Sequence, residues 1–153
     1  MDEMYMQEAL KEARLALVED EVPVGAVIVQ GEVIIGRGHN RREIDNDPTA
    51  HAEIVAIRRA AESINAWRLS DATMYVTIEP CCMCAGALVL ARIKRLVFGA
   101  YDPKGGAVGS ITNILDMPEL NHRIEYTGGV LAGECRSLIQ EFFRTKRMSR
   151  RDG

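Results

Sequence analysis

Apolar positions recur at helical spacing near both ends of the chain. They lie three and four residues apart, as on one face of a helix. Near the start they are Met6, Ala9, Leu10, Ala13 and Leu17. Near the end they are Leu131, Cys135, Leu138, Ile139, Phe142 and Phe143. The pattern predicts an amphipathic helix at each end, the second with Cys135 in the protein core.

Short β-branched runs alternate with helical segments between those two helices. Five strands are predicted, over residues 24–29, 33–35, 73–78, 95–98 and 123–127. Gln30-Gly31-Glu32 joins the first two strands and suits the turn of a hairpin. Two further helices are predicted at about residues 50–64 and 81–91, the first capped by the polar segment 47–49.

The order of these elements determines the expected fold. Residues 73–98 form a strand-helix-strand unit, whose two strands are expected to be parallel. The opening hairpin adds antiparallel pairing, so we expect a five-stranded mixed sheet with helices on both faces. The sequence therefore predicts a single three-layer α/β/α domain over residues 1–153. Residues 36–49 and 100–120 are expected to be loops, the second with a helical turn at about residues 111–115.

Length and composition are those of one globular domain. The 153 residues are 47% apolar and 27% charged, without a biased tract that would indicate disorder. No apolar run approaches the roughly 18 residues that span a bilayer. The N-terminus, Met1-Asp2-Glu3, is acidic where a signal peptide would be basic. We therefore expect a cytoplasmic protein without a membrane segment.

Positive charge is concentrated at the C-terminal end. The formal net charge of −3 does not by itself indicate a polyanionic partner. From residue 144 onward, however, five cations face the single acid Asp152: Arg144, Lys146, Arg147, Arg150 and Arg151. This asymmetry is compatible with nucleic acid binding, although cations near a helix C-terminus also complement the helix dipole.

Three of the four cysteines lie within four residues, which is too close for disulfides that join distant segments. Cys81 and Cys84 are three residues apart, so their sulfurs share a helix face, and His51 opens another predicted helix. Helix N-termini carry free N–H groups and partial positive charge, which favour the thiolate that zinc requires. The pattern predicts one zinc ion bound by His51, Cys81 and Cys84.

Three protein ligands leave one tetrahedral position open, which distinguishes a catalytic zinc site from a structural one. The pKa of water bound in that position falls to about 7, and Glu53 is expected to face this water. The alternative is a closed structural site with Cys82 as the fourth ligand. Adjacent helix residues diverge by about 100°, so we expect Cys82 to pack as a small buried residue instead.

His51-Ala52-Glu53 and Pro80-Cys81-Cys82-Met83-Cys84 resemble the zinc motif of the cytidine and deoxycytidylate deaminase superfamily. The resemblance implies a cytidine-deaminase-like fold. It also implies that Glu53 takes a proton from zinc-activated water, protonates the base ring and then protonates the leaving ammonia. Cys82 departs from that family's pattern, in which the position is usually apolar.

Segments outside the motif are similar to bacterial tRNA-specific adenosine deaminases, and the similarity covers nearly the whole chain. They are residues 21–26, 38–40, 47–53 and 142–144. The resemblance implies conversion of the wobble adenosine of a tRNA anticodon to inosine. It further implies that the substrate is an anticodon stem-loop and that the protein is a homodimer with one zinc ion per subunit.

The same resemblance implies several contacts to the substrate. Asn40 matches a position that holds the target base, and its amide can pair with adenine nitrogens. Asp102 and Lys104 match a loop that contacts neighbouring nucleotides, and Asn121 matches a contact to the substrate backbone. The alternatives are a turn asparagine for Asn40 and a solvated turn for Asp102 and Lys104. We expect the adjacent His122 to be a surface residue.

The two aromatic residues before the basic end are expected to differ in burial. If one of Phe142 and Phe143 is exposed beside Arg147, its ring can stack on a splayed anticodon base. The alternative is that both anchor the last helix in the core.

Two rival functions fit parts of the pattern. A deaminase of free guanine, cytosine or a nucleoside would share the zinc site and differ around the pocket, but the basic C-terminus favours RNA. A non-catalytic RNA-binding or assembly module would keep zinc for stability. Glu53 argues against that module, because a structural site gains nothing from a carboxylate beside an open ligand position.

Overall fold

The computed structural model of the chain describes residues 1–152. Its helices are α1 (Asp2–Val18), α2 (Ala52–Ile64), α3 (Cys82–Leu90) and α4 (Ala132–Asp152), with a short 3-10 helix at Ile114–Asp116. Its strands are β1 (Gly25–Gln30), β2 (Val33–His39), β3 (Ala72–Ile78), β4 (Arg95–Ala100) and β5 (Glu125–Thr127). Among the described residues, no helix combines the length and the apolar character needed to cross a membrane.

The five strands form one mixed sheet in the order β2-β1-β3-β4-β5. β1 is antiparallel to both β2 and β3. β3, β4 and β5 are parallel, and the connection from β3 through α3 to β4 is the predicted strand-helix-strand unit. The predicted mixed sheet is therefore confirmed.

Helices cover both faces of the sheet, as the side chains of β1 show. Ala26 and Ile28 point into a core shared with α2 and α3, whereas Val27 and Val29 point into a core shared with α1 and α4. This alternation follows from the two-residue period of a strand. The three-layer α/β/α prediction is confirmed, and Cys135 is buried in the second core.

β2 is longer than the sequence indicated, because the glycines of residues 36–39 belong to the strand. A Cβ atom at Gly36 would lie 2.5 Å from the Ala56 carbonyl oxygen, and one at Gly38 would lie 2.6 Å from that of Ala52. These glycines are needed for close packing of α2 on the strand, so the prediction of a loop is wrong for residues 36–39. The 3-10 helix, Ile114–Asp116, overlaps the end of the helical turn predicted at about residues 111–115.

His39, the last residue of β2, is buried between two acids of the segment that includes α1. Its Nδ1 lies 3.3 Å from Glu12 Oε1, and its Nε2 lies 3.3 Å from Glu19 Oε1. Arg37 also approaches Glu12, and Arg41 pairs with Glu19. The hydrogen bond to Glu12, opposed by burial and supported by Glu19, raises the pKa of His39 above its ordinary value.

A raised pKa in the folded state makes stability depend on pH in a definite direction. The stabilisation from protonated His39 is complete below the unfolded pKa of about 6.5 and is lost as pH rises through the higher folded pKa. We expect the unfolding free energy to fall over that window in the wild type and to fall less in His39→Gln. Urea unfolding of both proteins from pH 6 upward tests this, and equal slopes would contradict it.

Candidate active site

Two helices begin side by side beyond the carboxyl end of β3. His51 is the N-cap residue of α2, with extended backbone, and Cys81 is the N-cap residue of α3. The predicted cap at residues 47–49 is wrong: Asp47 accepts a hydrogen bond from the Thr49 backbone N–H (2.8 Å) and closes a turn ahead of the helix. Both helices thus present their N-terminal amides and positive dipole ends to the same region.

The side chains at these helix starts converge on one point. His51 Nδ1 lies 3.7 Å from the sulfur of Cys81 and 3.7 Å from that of Cys84. The three donor atoms all lie within 4.8 Å of one another. Tetrahedral zinc, with bonds of about 2.3 Å to sulfur and about 2.0 Å to nitrogen, requires spacings of this size. The group can therefore hold a metal ion, and its nitrogen and sulfur donors suit zinc.

The charges within this group favour a thiolate. The hydrogen bond from Cys84 and the neighbouring His51 ring lower the pKa of Cys81 to about 3. Cys81 in turn raises the pKa of His51. Cys84 keeps its proton, because the adjacent Cys81 sulfur and burial raise its pKa. A bound cation would displace these protons, since the metal ligands are the thiolate and the neutral imidazole.

Glu53 lies in the first turn of α2 and is 3% exposed. Among the described residues the metal-compatible group is His51, Cys81 and Cys84, without Glu53. Burial raises the pKa of Glu53 to about 6. A carboxyl group with that pKa can both accept and donate a proton near neutral pH, as a general acid-base group must.

Two residues, Cys82 and His122, are placed differently from the prediction. Cys82 is exposed, because it lies on the opposite side of α3 from the buried Cys84. His122 is partly buried, and its Nε2 forms a 2.7 Å hydrogen bond with the carbonyl oxygen of Ile93. Its partner is a backbone atom of a distant segment, which sequence spacing does not reveal.

A cleft of about 640 Å³ lies between α4 and the residues that directly follow β2. Asn40 lines it together with aromatic and basic side chains of α4, among them Phe142, Phe143, Lys146 and Arg147. Phe142 is 8% exposed and Phe143 44% exposed, so the expectation of one buried and one exposed ring is confirmed. Acids also line the cleft, and one of them, Asp20, pairs with Lys146 at 2.6 Å.

Asn40 connects this cleft with the metal-compatible group. The N–H of the next residue, Arg41, donates to the Ala50 carbonyl oxygen at 3.0 Å, which places Asn40 beside the segment leading to His51. Asn40 itself accepts a hydrogen bond from the Arg42 N–H and donates one to the Val22 carbonyl oxygen. The side chain is thus a turn residue that also lines the cleft.

Asp102 and Lys104 lie on the loop that follows β4. Asp102 Oδ1 accepts hydrogen bonds from the N–H groups of Lys104 and Gly105, as in the solvated turn that composition allowed. The loop is joined to the start of α3, since the Ala107 N–H donates to the Pro80 carbonyl oxygen at 2.8 Å. Asp102 and Lys104 therefore lie at the same end of the sheet as Cys81, where the parallel strands β3 and β4 finish.

Asn121 is not brought together with these residues. It precedes His122, which contacts Ile93 ahead of β4, and β5 runs parallel to β4 from that end of the sheet. The exposed side chain of Asn121 thus lies near the amino ends of the parallel strands, opposite the ends that carry Cys81.

Sequence reasoning missed two buried carboxylates that organise these loops. Glu21 accepts hydrogen bonds from the backbone N–H groups of Glu43 and Ile44. Glu79 accepts them from the loop after β4. Burial raises the pKa of Glu79, but the Ser110 hydroxyl and three backbone amides outweigh that effect and lower the pKa overall. Its position between a buried strand and Pro80 was the available signal.

Known proteins share this fold and sequence. A MafB19-like deaminase family model matches residues 1–147. The tRNA-specific adenosine deaminase of Bacillus subtilis is 49% identical over 150 residues, covering 98% of this chain and 93% of the relative. A solved structure from a study of A-to-I editing by tRNA:A34 deaminases at the wobble position is 47% identical, with a TM-score of 0.85 over 88% of this chain and 98% of that one.

A guanine deaminase from Nitrosomonas europaea is 24% identical and superposes with a TM-score of 0.80 over 92% of this chain and 83% of that one. At that identity the likeness concerns the fold alone, which is the cytidine-deaminase-like fold anticipated from the motif. Sequence identity near one half over almost the whole length is far more specific. The chain belongs to the deaminase family, within the group of tRNA-specific adenosine deaminases.

Proposed function

We infer that this protein removes the amino group of the wobble adenosine of a tRNA anticodon by hydrolysis, giving inosine and ammonia. The observation that carries the inference is a three-donor metal group at two helix N-termini with a buried glutamate in the first turn of one of them. Relatives named tRNA-specific adenosine deaminase are 49% and 50% identical to this chain. We further propose that residues 1–153 form one deaminase domain.

We propose zinc as the metal, one ion per subunit, held by His51, Cys81 and Cys84. When bound, zinc supplies the Lewis acidity that makes water a nucleophile near neutral pH. Glu53 would accept a proton from water while the oxygen adds to C6 of adenine, and would pass that proton to N1. It would then take the second proton from the new C6 hydroxyl and deliver it to the amine, so that the C6–N bond breaks and water and adenosine become inosine and ammonia. Burial of Glu53 keeps these transfers away from bulk solvent.

We propose that the cleft beside Asn40 holds the nucleotides around the wobble position. The Asn40 amide has donor capacity beyond its bond to Val22, which suits an adenine nitrogen. Phe143 presents an exposed ring for base stacking, and Arg147 lines the same cleft. Phe142 supports the Phe143 ring through an edge-to-face contact, with the two ring centroids 5.4 Å apart.

Asp102 and Lys104 are proposed to contact flanking nucleotides, and Asn121 the RNA backbone further from the anticodon. Alanine at each position should raise the KM for an anticodon stem-loop more than it lowers kcat. A steady-state comparison of the three variants checks this, and a change in kcat alone would remove the residue from the proposed contact set.

Inosine formation by the zinc-loaded protein is the direct test. An anticodon stem-loop with adenosine at the wobble position is compared with free adenosine, cytidine and guanine, and inosine and ammonia are both quantified. Inosine only in the RNA is the expected result. Ammonia from a free base would instead place the protein among small-molecule deaminases with the same metal chemistry.

Ending the chain after Phe143 should weaken tRNA binding by about tenfold or more, because it removes the cations of α4 that line the cleft. The dependence of affinity on salt should become shallower, since fewer counterions are released on binding. Metal content should stay unchanged. Fluorescence anisotropy at several salt concentrations measures both quantities, and an unaltered affinity would exclude a role for this segment in RNA binding.

We propose that the protein is a homodimer and that α3 contributes to the interface. The helix contains no charged residue, yet Cys82, Met83 and Leu90 are exposed on it, with Leu90 at 71%. An apolar helix of this kind is normally covered. Sedimentation should show a dimer for the wild type and for Val33→Glu, a substitution in β2, but a monomer for Leu90→Glu. A monomeric wild type would overturn the proposal.

We also propose a cytoplasmic location, because the proposed substrate is tRNA. Cell fractionation followed by immunoblotting checks it, and recovery of the protein outside the cytoplasmic fraction would contradict it.

A further inference from the structure

The buried Glu79 carboxylate binds one loop through four hydrogen bonds. Oε1 accepts from the Asp102 N–H at 3.0 Å and from the Ser110 hydroxyl. Oε2 accepts from the Val108 N–H at 2.9 Å and from the Ser110 N–H at 3.0 Å. The side chain is 2% exposed. Both oxygens are therefore used to hold residues 102–110.

The loop passes so close to this carboxylate that only glycine fits at one point. A Cβ atom at Gly106 would lie 2.2 Å from the Glu79 carboxyl carbon. Backbone bonds strengthen the attachment, since the Glu79 N–H donates to Ala100 and the Ala107 N–H donates to Pro80, each at 2.8 Å. The loop thus encloses residues 79 and 80, which immediately precede Cys81 in the chain.

We propose that Glu79 is a positioning residue, which fixes the loop carrying Asp102 and Lys104 beside the start of α3 and so presents it to the RNA substrate. The proposal rests on the proposed function, because it concerns how that substrate is held. It differs from a general stabilising role in one respect: the hydrogen bonds all go to a single loop next to the metal-compatible group.

The substitution Glu79→Gln keeps the size of the side chain and replaces an acceptor oxygen by an NH₂ group. That NH₂ would face N–H donors of the loop, so at least one of the four hydrogen bonds is lost and a donor is left without an acceptor. The loop should open locally while α2 and α3 remain packed on the sheet. The KM for the stem-loop should rise by about tenfold, with a smaller change in kcat and no loss of metal.

The experiment compares zinc-loaded wild type with three variants. Glu79→Gln is the principal variant, and Ser110→Ala removes the hydroxyl contact alone in case the first variant folds poorly. Glu12→Gln is the matched control, because Glu12 is also buried but contacts His39 on the α1 side of the protein. The readouts are metal content, stem-loop affinity by anisotropy, KM and kcat, and hydrogen exchange of the backbone amides.

The expected result is weaker stem-loop binding and faster exchange at residues 102–110 in Glu79→Gln, a milder change in Ser110→Ala, and neither in Glu12→Gln. Unchanged affinity despite faster exchange, or loss of metal together with affinity, would overturn the positioning role. Affinity is measured without turnover, so the proposed reaction can fail its own inosine test separately. A wild type that binds no stem-loop would overturn both proposals.

Discussion

Glu53→Ala should reduce kcat/KM for inosine formation by about 10³-fold or more, while the protein stays folded and keeps its metal. General acid-base catalysis contributes roughly 10²–10⁴-fold, and Glu53 is proposed to serve in several successive proton transfers. Because Glu53 lies outside the His51, Cys81 and Cys84 group, its removal leaves all three donors in place. Single-turnover kinetics and metal analysis of the same sample measure the two effects together.

Glu62→Ala is the matched control, because Glu62 lies on the same helix with an exposed side chain. It should retain near wild-type activity. If Glu53→Ala retained turnover, another group would have to move the protons. If it lost its metal, Glu53 would have to be a ligand and the proposed open position would be closed.

Cys84→Ala should empty the metal site, and deamination should fall below detection. The Cys84 thiol is fully buried and is one of only three proposed donors, so the remaining pair binds zinc much more weakly. Metal content measured after dialysis against a weak chelator should drop from one equivalent to near zero. Addition of excess zinc should not restore activity at concentrations that saturate the wild type.

Cys135→Ala separates the loss of a ligand from the loss of a buried sulfur. Cys135 is equally buried, but it belongs to α4 and packs against the sheet, away from the metal-compatible group. Its replacement should lower the unfolding free energy by about 1 kcal/mol and leave metal content and activity intact. Equal metal loss in the two variants would show that the effect of Cys84→Ala is a packing defect.

The metal group could be predicted from sequence because its geometry follows from local rules. Cys81 and Cys84 lie one helical turn apart, and a single strand, β3, directs their helix to the place where α2 begins. The layers of the fold were likewise encoded in hydrophobic periodicity. Such features depend on residues near one another in the chain, or on regular elements whose pairing follows general rules.

The features that sequence reasoning missed depend on contacts between distant segments. Glu79 serves a loop 23 to 31 residues further along the chain. His122 reaches back 29 residues to Ile93. Cys82 was expected to be buried because it is small and apolar, but its direction on α3 leaves it exposed. Residue type indicates a preference for burial, whereas exposure is decided by the side of the helix that the sheet covers.

The two glycines of β2 offer a means of adjusting catalysis from outside the pocket. α2 rests on Gly36 and Gly38 and carries His51 and Glu53, whereas Cys81 and Cys84 belong to a helix with separate supports. A methyl group on either glycine would push α2 away from the strand, because it would overlap a carbonyl oxygen of that helix. The acid-base residue and one metal donor would then move together relative to the two sulfurs. Protein engineers could thus vary the spacing of the reactive groups without altering any side chain that faces the RNA.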